Sequence, residues 1–222
     1  MGQTISLKAK DGHEFSAYRA DPQGKPKGGL VVIQEIFGVN HHIRNVCDRF
    51  AALGYTAVAP ALFDRTQKGV ELAYDADGIA AGRELMSKVP MEGILADTQA
   101  TIDYAKQFGK VGIVGYCLGG SVAFSAATRL DGIAAAVGYY GGRVAATADE
   151  KPKVPTILHF GDQDQSIPMS DVEKVKAARP EVPVYVYHAG HGFVCDERPS
   201  YDAESAKVAL ERTLDHFKKY VG

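Results

Sequence analysis

A chain of 222 residues, 45% of them hydrophobic and 23% charged, carries enough apolar material for one substantial core. Its formal net charge of −2 gives no electrostatic footprint for nucleic acid or an anionic membrane, and no apolar run approaches the roughly 18 residues of a membrane span. Three widely spaced Cys argue against a disulfide framework, and the N-terminus lacks a basic-then-apolar leader pattern, so a reducing, cytoplasmic setting is expected.

The first six residues, Met1 to Ser6, satisfy the loose M-G-x-x-x-[ST] myristoylation pattern. The alternation of Ile5, Leu7 and Ala9 with polar residues reads better as a first strand over residues 3–9. A second alternating strand over 14–20 follows the hairpin signal Asp11-Gly12. Gly29 to Gln34 is a continuous apolar run, as expected of a strand buried on both faces. It ends in Glu35-Ile36-Phe37-Gly38. A helix is predicted from about His42 to Leu53, with Ile43, Val46, Cys47 and Phe50 on one face and Gly54 as its stop.

Thr56 to Ala59 forms another short buried strand, and residues 61–78 read as loop. A helical region interrupted at Val89-Pro90 then carries Ile94, Leu95, Ile102, Ala105 and Phe108 at helical spacing. Further strands are expected at 111–114, 133–140, 156–160 and 184–187, with helices at 118–129, 170–178 and 201–220. The inner face of the last helix is read as Ala206, Ala209, Leu210, Leu214 and Phe217. Strands alternating with helices predict a single α/β domain spanning 1–222, built on a mostly parallel twisted sheet covered on both faces. Ligands in such a sheet bind beyond the C-terminal strand ends.

Four of those strand ends carry reactive side chains. The central one is Gly115-Tyr116-Cys117-Leu118-Gly119-Gly120, which follows an apolar strand and opens an apolar helix. It fits the G-x-S-x-G nucleophile elbow with Cys in place of Ser. Gly115 and Gly119 allow helix and strand to pack closely, and the sulfur is presented at a helix N-terminus, which favours a developing anion. In Gly161-Asp162-Gln163-Asp164-Gln165-Ser166-Ile167-Pro168 the acid-loop pattern selects Asp164, leaving Asp162 a turn role. His191, between Gly190 and Gly192, is the candidate base. Cys…Asp…His is the nucleophile–acid–base order of the α/β-hydrolase arrangement. Cys47 reads as core packing.

Glu35 is a carboxylate at a buried strand end, which needs a partner. Two readings stand: a salt bridge to an arginine such as Arg83 or Arg198, or contact with the Cys117 thiol. The oxyanion donors expected from this arrangement are the backbone N–H groups of Leu118 and Ile36. No phosphate loop and no G-x-G-x-x-G is present. His188 and His191 have no carboxylate or thiol completing a metal set, and the adjacent His41 and His42 would diverge on a helix. No cofactor and no metal is therefore expected.

With these residues in place the chain resembles the dienelactone hydrolase (carboxymethylenebutenolidase) family. The matching motifs are Gln34-Glu35-Ile36-Phe37-Gly38, Gly115-Tyr116-Cys117-Leu118-Gly119-Gly120, Gly138-Tyr139-Tyr140-Gly141, Gly161-x-x-Asp164 and Gly190-His191-Gly192-Phe193. The resemblance implies an α/β-hydrolase fold and a Cys117–His191–Asp164 triad that opens enol-lactones through a thioester. It implies that Glu35 holds the resting thiol quiet until substrate displaces it. Phe37, Tyr139, Tyr140, Phe193 and Cys195 are the substrate-lining residues carried over with these motifs. The family's founding members hold a substrate carboxylate with arginines. One stands four residues after the His, where this chain has Cys195, and the other falls near Asp77. The expected partner is a small lactone or ester, with no nucleic acid or membrane, and the expected state is a monomer. The competing readings are a general carboxylesterase or thioesterase on the same scaffold, and a ligand-binding or thiol-redox protein pairing Cys117 with Cys195.

Overall fold

The computed structural model describes residues 2–222; Met1, the first residue of the myristoylation pattern, lies outside them. Eight strands form one sheet: β1 (Gln3–Lys8), β2 (Glu14–Ala20), β3 (Gly29–Ile33), β4 (Thr56–Pro60), β5 (Val111–Tyr116), β6 (Ala135–Tyr139), β7 (Thr156–Gly161) and β8 (Val184–Tyr187). Their spatial order is β1-β2-β4-β3-β5-β6-β7-β8. The β1–β2 hairpin and the β2–β4 pair are antiparallel, and every other pairing is parallel. This is the doubly covered, mostly parallel sheet of the α/β-hydrolase fold.

Six helices cover it: α1 (His41–Ala52), α2 (Ala76–Lys88), α3 (Met91–Ala105), α4 (Leu118–Arg129), α5 (Met169–Ala178) and α6 (Ala203–Tyr220). The strand period of two sorts the core into two layers. Leu30 and Val32 of β3 face Ile43, Cys47 and Phe50 of α1 and Phe217 of α6. Val31 and Ile33 face the opposite way, into Ile94 and Ile102 of α3 and Val122 and Ala126 of α4. β3 and β5 are buried throughout because both faces are packed. Cys47 is among the fully buried residues of the first layer, and burial pushes its thiol pKa up.

The break at Val89-Pro90 separates two helices, with Pro90 as the N-cap of α3. Asn40, Asp75 and Asp202 cap α1, α2 and α6 by accepting from the backbone N–H three residues on. Some details differ from the sequence reading. Residues 62–65 form a 3₁₀ turn, and α2 already begins at Ala76, inside the 61–78 stretch read as loop. In α6 it is Thr213, not Leu210, that joins Ala209 and Phe217 against the sheet; Leu210 is 40% exposed. Thr213 is buried because its hydroxyl meets Tyr139 at 2.6 Å and His159 at 3.3 Å, partners supplied by β6 and β7 that helical periodicity cannot reveal.

Candidate active site

β5 lies between β3 and β6, so the turn at its end opens at the centre of the sheet. There Cys117 adopts φ 54°, ψ −112°, a left-handed conformation costly for any side chain. The fold holds it through Cys117 N–H donating to Tyr139 O at 3.1 Å and Cys117 O accepting from Gly120 N–H at 3.0 Å. A Cβ at Gly115 would lie 1.9 Å from Gly119 O, and one at Gly119 would lie 2.3 Å from Ile33 O. Only glycine permits that approach of strand and helix, which is the physical content of the motif.

β7 delivers Asp164. Its side chain is 1% exposed, and one carboxylate oxygen accepts from the backbone N–H groups of Ser166 (2.8 Å) and Ile167 (3.2 Å). Its other oxygen meets His191 Nδ1 at 2.7 Å. The His191 loop is anchored by Ser200 Oγ donating to His191 O at 2.6 Å. It turns at Gly192 (φ 78°), where a Cβ would strike the Arg198 guanidinium. Burial alone would pull the imidazole down, but the bond to Asp164 and the nearby Cys117 sulfur outweigh it. The His191 pKa is raised from 6.5 to about 10. Cys117 and His191 thus line one cavity, with Asp164 bonded to the imidazole from behind.

Glu35 follows β3 and is fully buried. Gln34 fixes the local backbone, donating to Glu35 O at 3.2 Å and accepting from Leu62 N–H at 3.1 Å. Of the two readings for Glu35, the structure draws the arginine one: Arg198 Nη1 donates to Glu35 Oε1 at 3.1 Å. The guanidinium lies over Phe37 (5.7 Å) and Tyr74 (5.6 Å). Glu35 Oε2 is left with no hydrogen-bond partner, an uncommon state for a buried carboxylate oxygen. Neither the thiol nor any other donor engages it.

A cavity of about 290 Å³ opens over Cys117. Ile36, Leu118 and His191 line it beside the sulfur; Phe37, Ile79, Met86 and Ile167 supply apolar wall, and Arg83, Arg143 and Arg198 bring positive charge. Arg198 is committed to Glu35, whereas Arg83 and Arg143 are exposed and have no carboxylate partner among the described residues. Of the five residues expected to line the substrate, only Phe37 borders this cavity. Tyr139 points to the α6 side of the sheet, its hydroxyl bonded to Ala209 O and Thr213, because strand alternation sends it there with Val137. Tyr140 takes φ 36° beyond the strand end and tucks under His191, ring centroids 5.0 Å apart, with its hydroxyl unpartnered. Phe193 packs on Tyr140 and Tyr187. Cys195 is fully buried, which pushes its thiol up to about 12.

Sequence reasoning missed Arg143, Ser121, Ile79 and Met86. Ile79, Arg83 and Met86 share one face of α2 at helical spacing, a legible signal; that this face borders Cys117 is not. Arg143 sits beyond the Gly141-Gly142 end of β6, held by its N–H donating to Ser121 Oγ at 3.0 Å.

Comparison with known proteins agrees with this architecture. The profile of the Dienelactone hydrolase family matches residues 15–221. A carboxymethylenebutenolidase of Pseudomonas putida is 36% identical, over 97% of this chain and 95% of its own length. A candidate carboxymethylenebutenolidase of Synechocystis is 38% identical over 92% of each chain. The solved structure of a candidate dienelactone hydrolase from Klebsiella pneumoniae superposes with a TM-score of 0.89 at 32% identity, covering 99% of both chains.

Proposed function

The chain belongs to the dienelactone hydrolase family, and from that premise we propose that it hydrolyses a lactone, of the enol-lactone type, through a Cys117–His191–Asp164 triad and a thioester intermediate. The observation that carries this reading is the Cys117 sulfur at a left-handed elbow beside an imidazole whose other nitrogen is bound to a buried carboxylate at 2.7 Å. Asp164 fixes the tautomer and orientation of His191 and favours its charged form. The thiolate adds to the lactone carbonyl, and the oxyanion is received by the N–H groups of Leu118 and Ile36. Collapse breaks the ring C–O bond, and the enolate leaves with a proton from His191. A water deprotonated by His191 then adds to the thioester carbonyl, and the released thiolate restores the starting pair. Enolates are good leaving groups, which suits a thiol nucleophile whose acyl-enzyme must form readily and still be hydrolysed.

In this reading Arg83 and Arg143 attract a substrate carboxylate, replacing the arginine that the family's founding members carry at the position of Cys195. Glu35 takes the proton of the resting thiol when such a carboxylate draws Arg198 away, leaving the thiolate beside charged His191, and returns that proton to the sulfur once the product has left. The test is a screen of lactones with and without a carboxylate against wild type, Cys117→Ala and Glu35→Gln. Cys117→Ala is expected to lose at least about 10⁴-fold in kcat/KM; undiminished turnover removes the triad reading. Glu35→Gln is expected to slow carboxylated lactones most, and an unchanged rate leaves Glu35 a purely structural partner of Arg198.

The apolar wall of Ile79, Met86 and Ile167 favours one second reading, a carboxylesterase or thioesterase for uncharged acyl groups. Ranking rates over carboxylated lactones, aryl esters and acyl-thioesters separates the two.

A further inference from the structure

His42 lies in the first turn of α1, its side chain only 1% exposed, yet neither ring nitrogen has a hydrogen-bond partner. Buried imidazoles ordinarily satisfy at least one nitrogen. The Nδ1 atom faces Asp196 Oδ1 at 3.4 Å, and the Glu197 carboxylate closes the third side: one donor atom from each of the three residues lies within 4.8 Å of the others. The 3.4 Å contact lacks hydrogen-bond geometry, since Nδ1 remains unpartnered. It does match two ligands of one tetrahedral metal ion, because bonds of about 2.0–2.2 Å at tetrahedral angles place donor atoms roughly 3.3–3.6 Å apart.

We infer that His42, Asp196 and Glu197 form a binding site for a divalent transition metal of the zinc class, apart from the cavity over Cys117. One imidazole nitrogen and two carboxylate oxygens are a donor set suited to Zn²⁺ or Co²⁺, and poorly suited to Ca²⁺ or Mg²⁺, which take oxygen ligands. Water completes the coordination. The neighbouring groups hold the ligands in place. Arg49 Nη2 bonds Asp196 Oδ2 at 2.5 Å, which leaves Oδ1 for the ion and offsets part of the carboxylate charge. His41 Nδ1 bonds Glu197 Oε1 at 2.6 Å and orients that carboxylate from outside. Asp196 and Glu197 immediately precede Arg198, the partner of Glu35. An ion here therefore ties α1 to the segment that carries that arginine, and it stabilises the folded chain by binding it and not the unfolded one.

The site is tested by titrating the full chain, first stripped with chelator, with Co²⁺ and with Zn²⁺. Cys117→Ala runs beside wild type so that the thiol cannot supply the binding. The expected result is one equivalent of Co²⁺ with visible d–d absorption and no thiolate charge-transfer band, in both proteins, together with a Zn²⁺-dependent rise in Tm. Glu197→Gln, an exposed position that leaves the core intact, is expected to weaken Zn²⁺ binding by roughly 10- to 100-fold or more and to abolish the Tm rise. His42→Gln is expected to do the same, and Glu197→Gln decides alone if His42→Gln fails to fold. The inference is overturned by the absence of saturable binding in Cys117→Ala, by a sulfur charge-transfer band as the only signal, or by Zn²⁺ affinity unchanged in Glu197→Gln.

Discussion

Replacing Arg198 by Met tests whether the Glu35–Arg198 pair is held as tightly as its geometry implies. Met keeps most of the apolar stem but removes the charge and the guanidinium that lies over Phe37 and Tyr74. Glu35 is then left buried with no donor to either oxygen, because Arg198 is its single hydrogen-bonding side-chain partner and Oε2 already has none. Removing one member of a buried ion pair costs about 3–5 kcal/mol. Arg198 is 16% exposed and Glu35 1%, so water screens the pair only partly and the lower end, about 3 kcal/mol, is expected. For a chain of this size that is a fall in Tm of roughly 6–12 °C. Glu35→Gln still accepts a hydrogen bond and leaves a guanidinium that can reach the cavity, so its cost is about 1 kcal/mol. The double variant Glu35→Gln/Arg198→Met buries no unpaired charge and is expected to be more stable than Arg198→Met alone, with a coupling of about 2 kcal/mol. Urea unfolding followed by circular dichroism measures all three, and the coupling should survive 1 M salt because the pair is shielded from solvent. The reasoning is refuted if Arg198→Met costs under about 1 kcal/mol, or if the double variant loses the sum of the single losses.

The remaining expectations concern the elbow, the imidazole and the cavity mouth. Cys117→Gly should be more stable than Cys117→Ala by about 1 kcal/mol, because only glycine adopts φ 54° without strain; equal denaturation midpoints would show the turn to be unstrained. The His191 pKa is raised above its unfolded value of 6.5 to about 10, so its contribution to stability is full below pH 6.5 and is lost as pH rises toward 10. The Tm advantage of wild type over His191→Gln should shrink across that window, and an advantage that grows with pH would reverse the assignment. Asp164→Asn should move the imidazole midpoint, read by NMR, down from about 10 toward 6.5. Arg83→Met and Arg143→Met should each raise KM for carboxylated lactones by about 3- to 10-fold, a modest factor because both guanidinium groups are exposed, while leaving p-nitrophenyl acetate unaffected. Equal effects on both substrates would remove the charge argument.

Much of the site was legible because its chemistry is local. Glycines two before and two after Cys117 are demanded by backbone contacts that any elbow makes, so Gly115 and Gly119 announce the turn. Asp164 is recognisable because the loop that supplies Ser166 and Ile167 N–H groups to it is contiguous. The alternation of apolar strands and amphipathic helices likewise announces a doubly covered parallel sheet, since each element must bury its own face.

What the tertiary structure alone decided is which side chains meet. Glu35 and Arg198 are 163 residues apart, and nothing in either neighbourhood chooses between a thiol and a guanidinium as the carboxylate's partner. Tyr139 and Tyr140 are adjacent in a motif associated with substrate, yet strand alternation sends Tyr139 into a network with Thr213 and a left-handed φ folds Tyr140 beneath His191. Leu210 and Thr213 exchange their expected burial because hydroxyl partners on β6 and β7 outweigh helical hydrophobicity. Sequence by itself determined the turn, the acid loop and the layering, which depend on backbone geometry and periodicity over a few residues. The partner of Glu35, the arginines at the cavity and the clustering of His42 with Asp196 and Glu197 depend on where distant segments come to rest, and only the folded chain determines that.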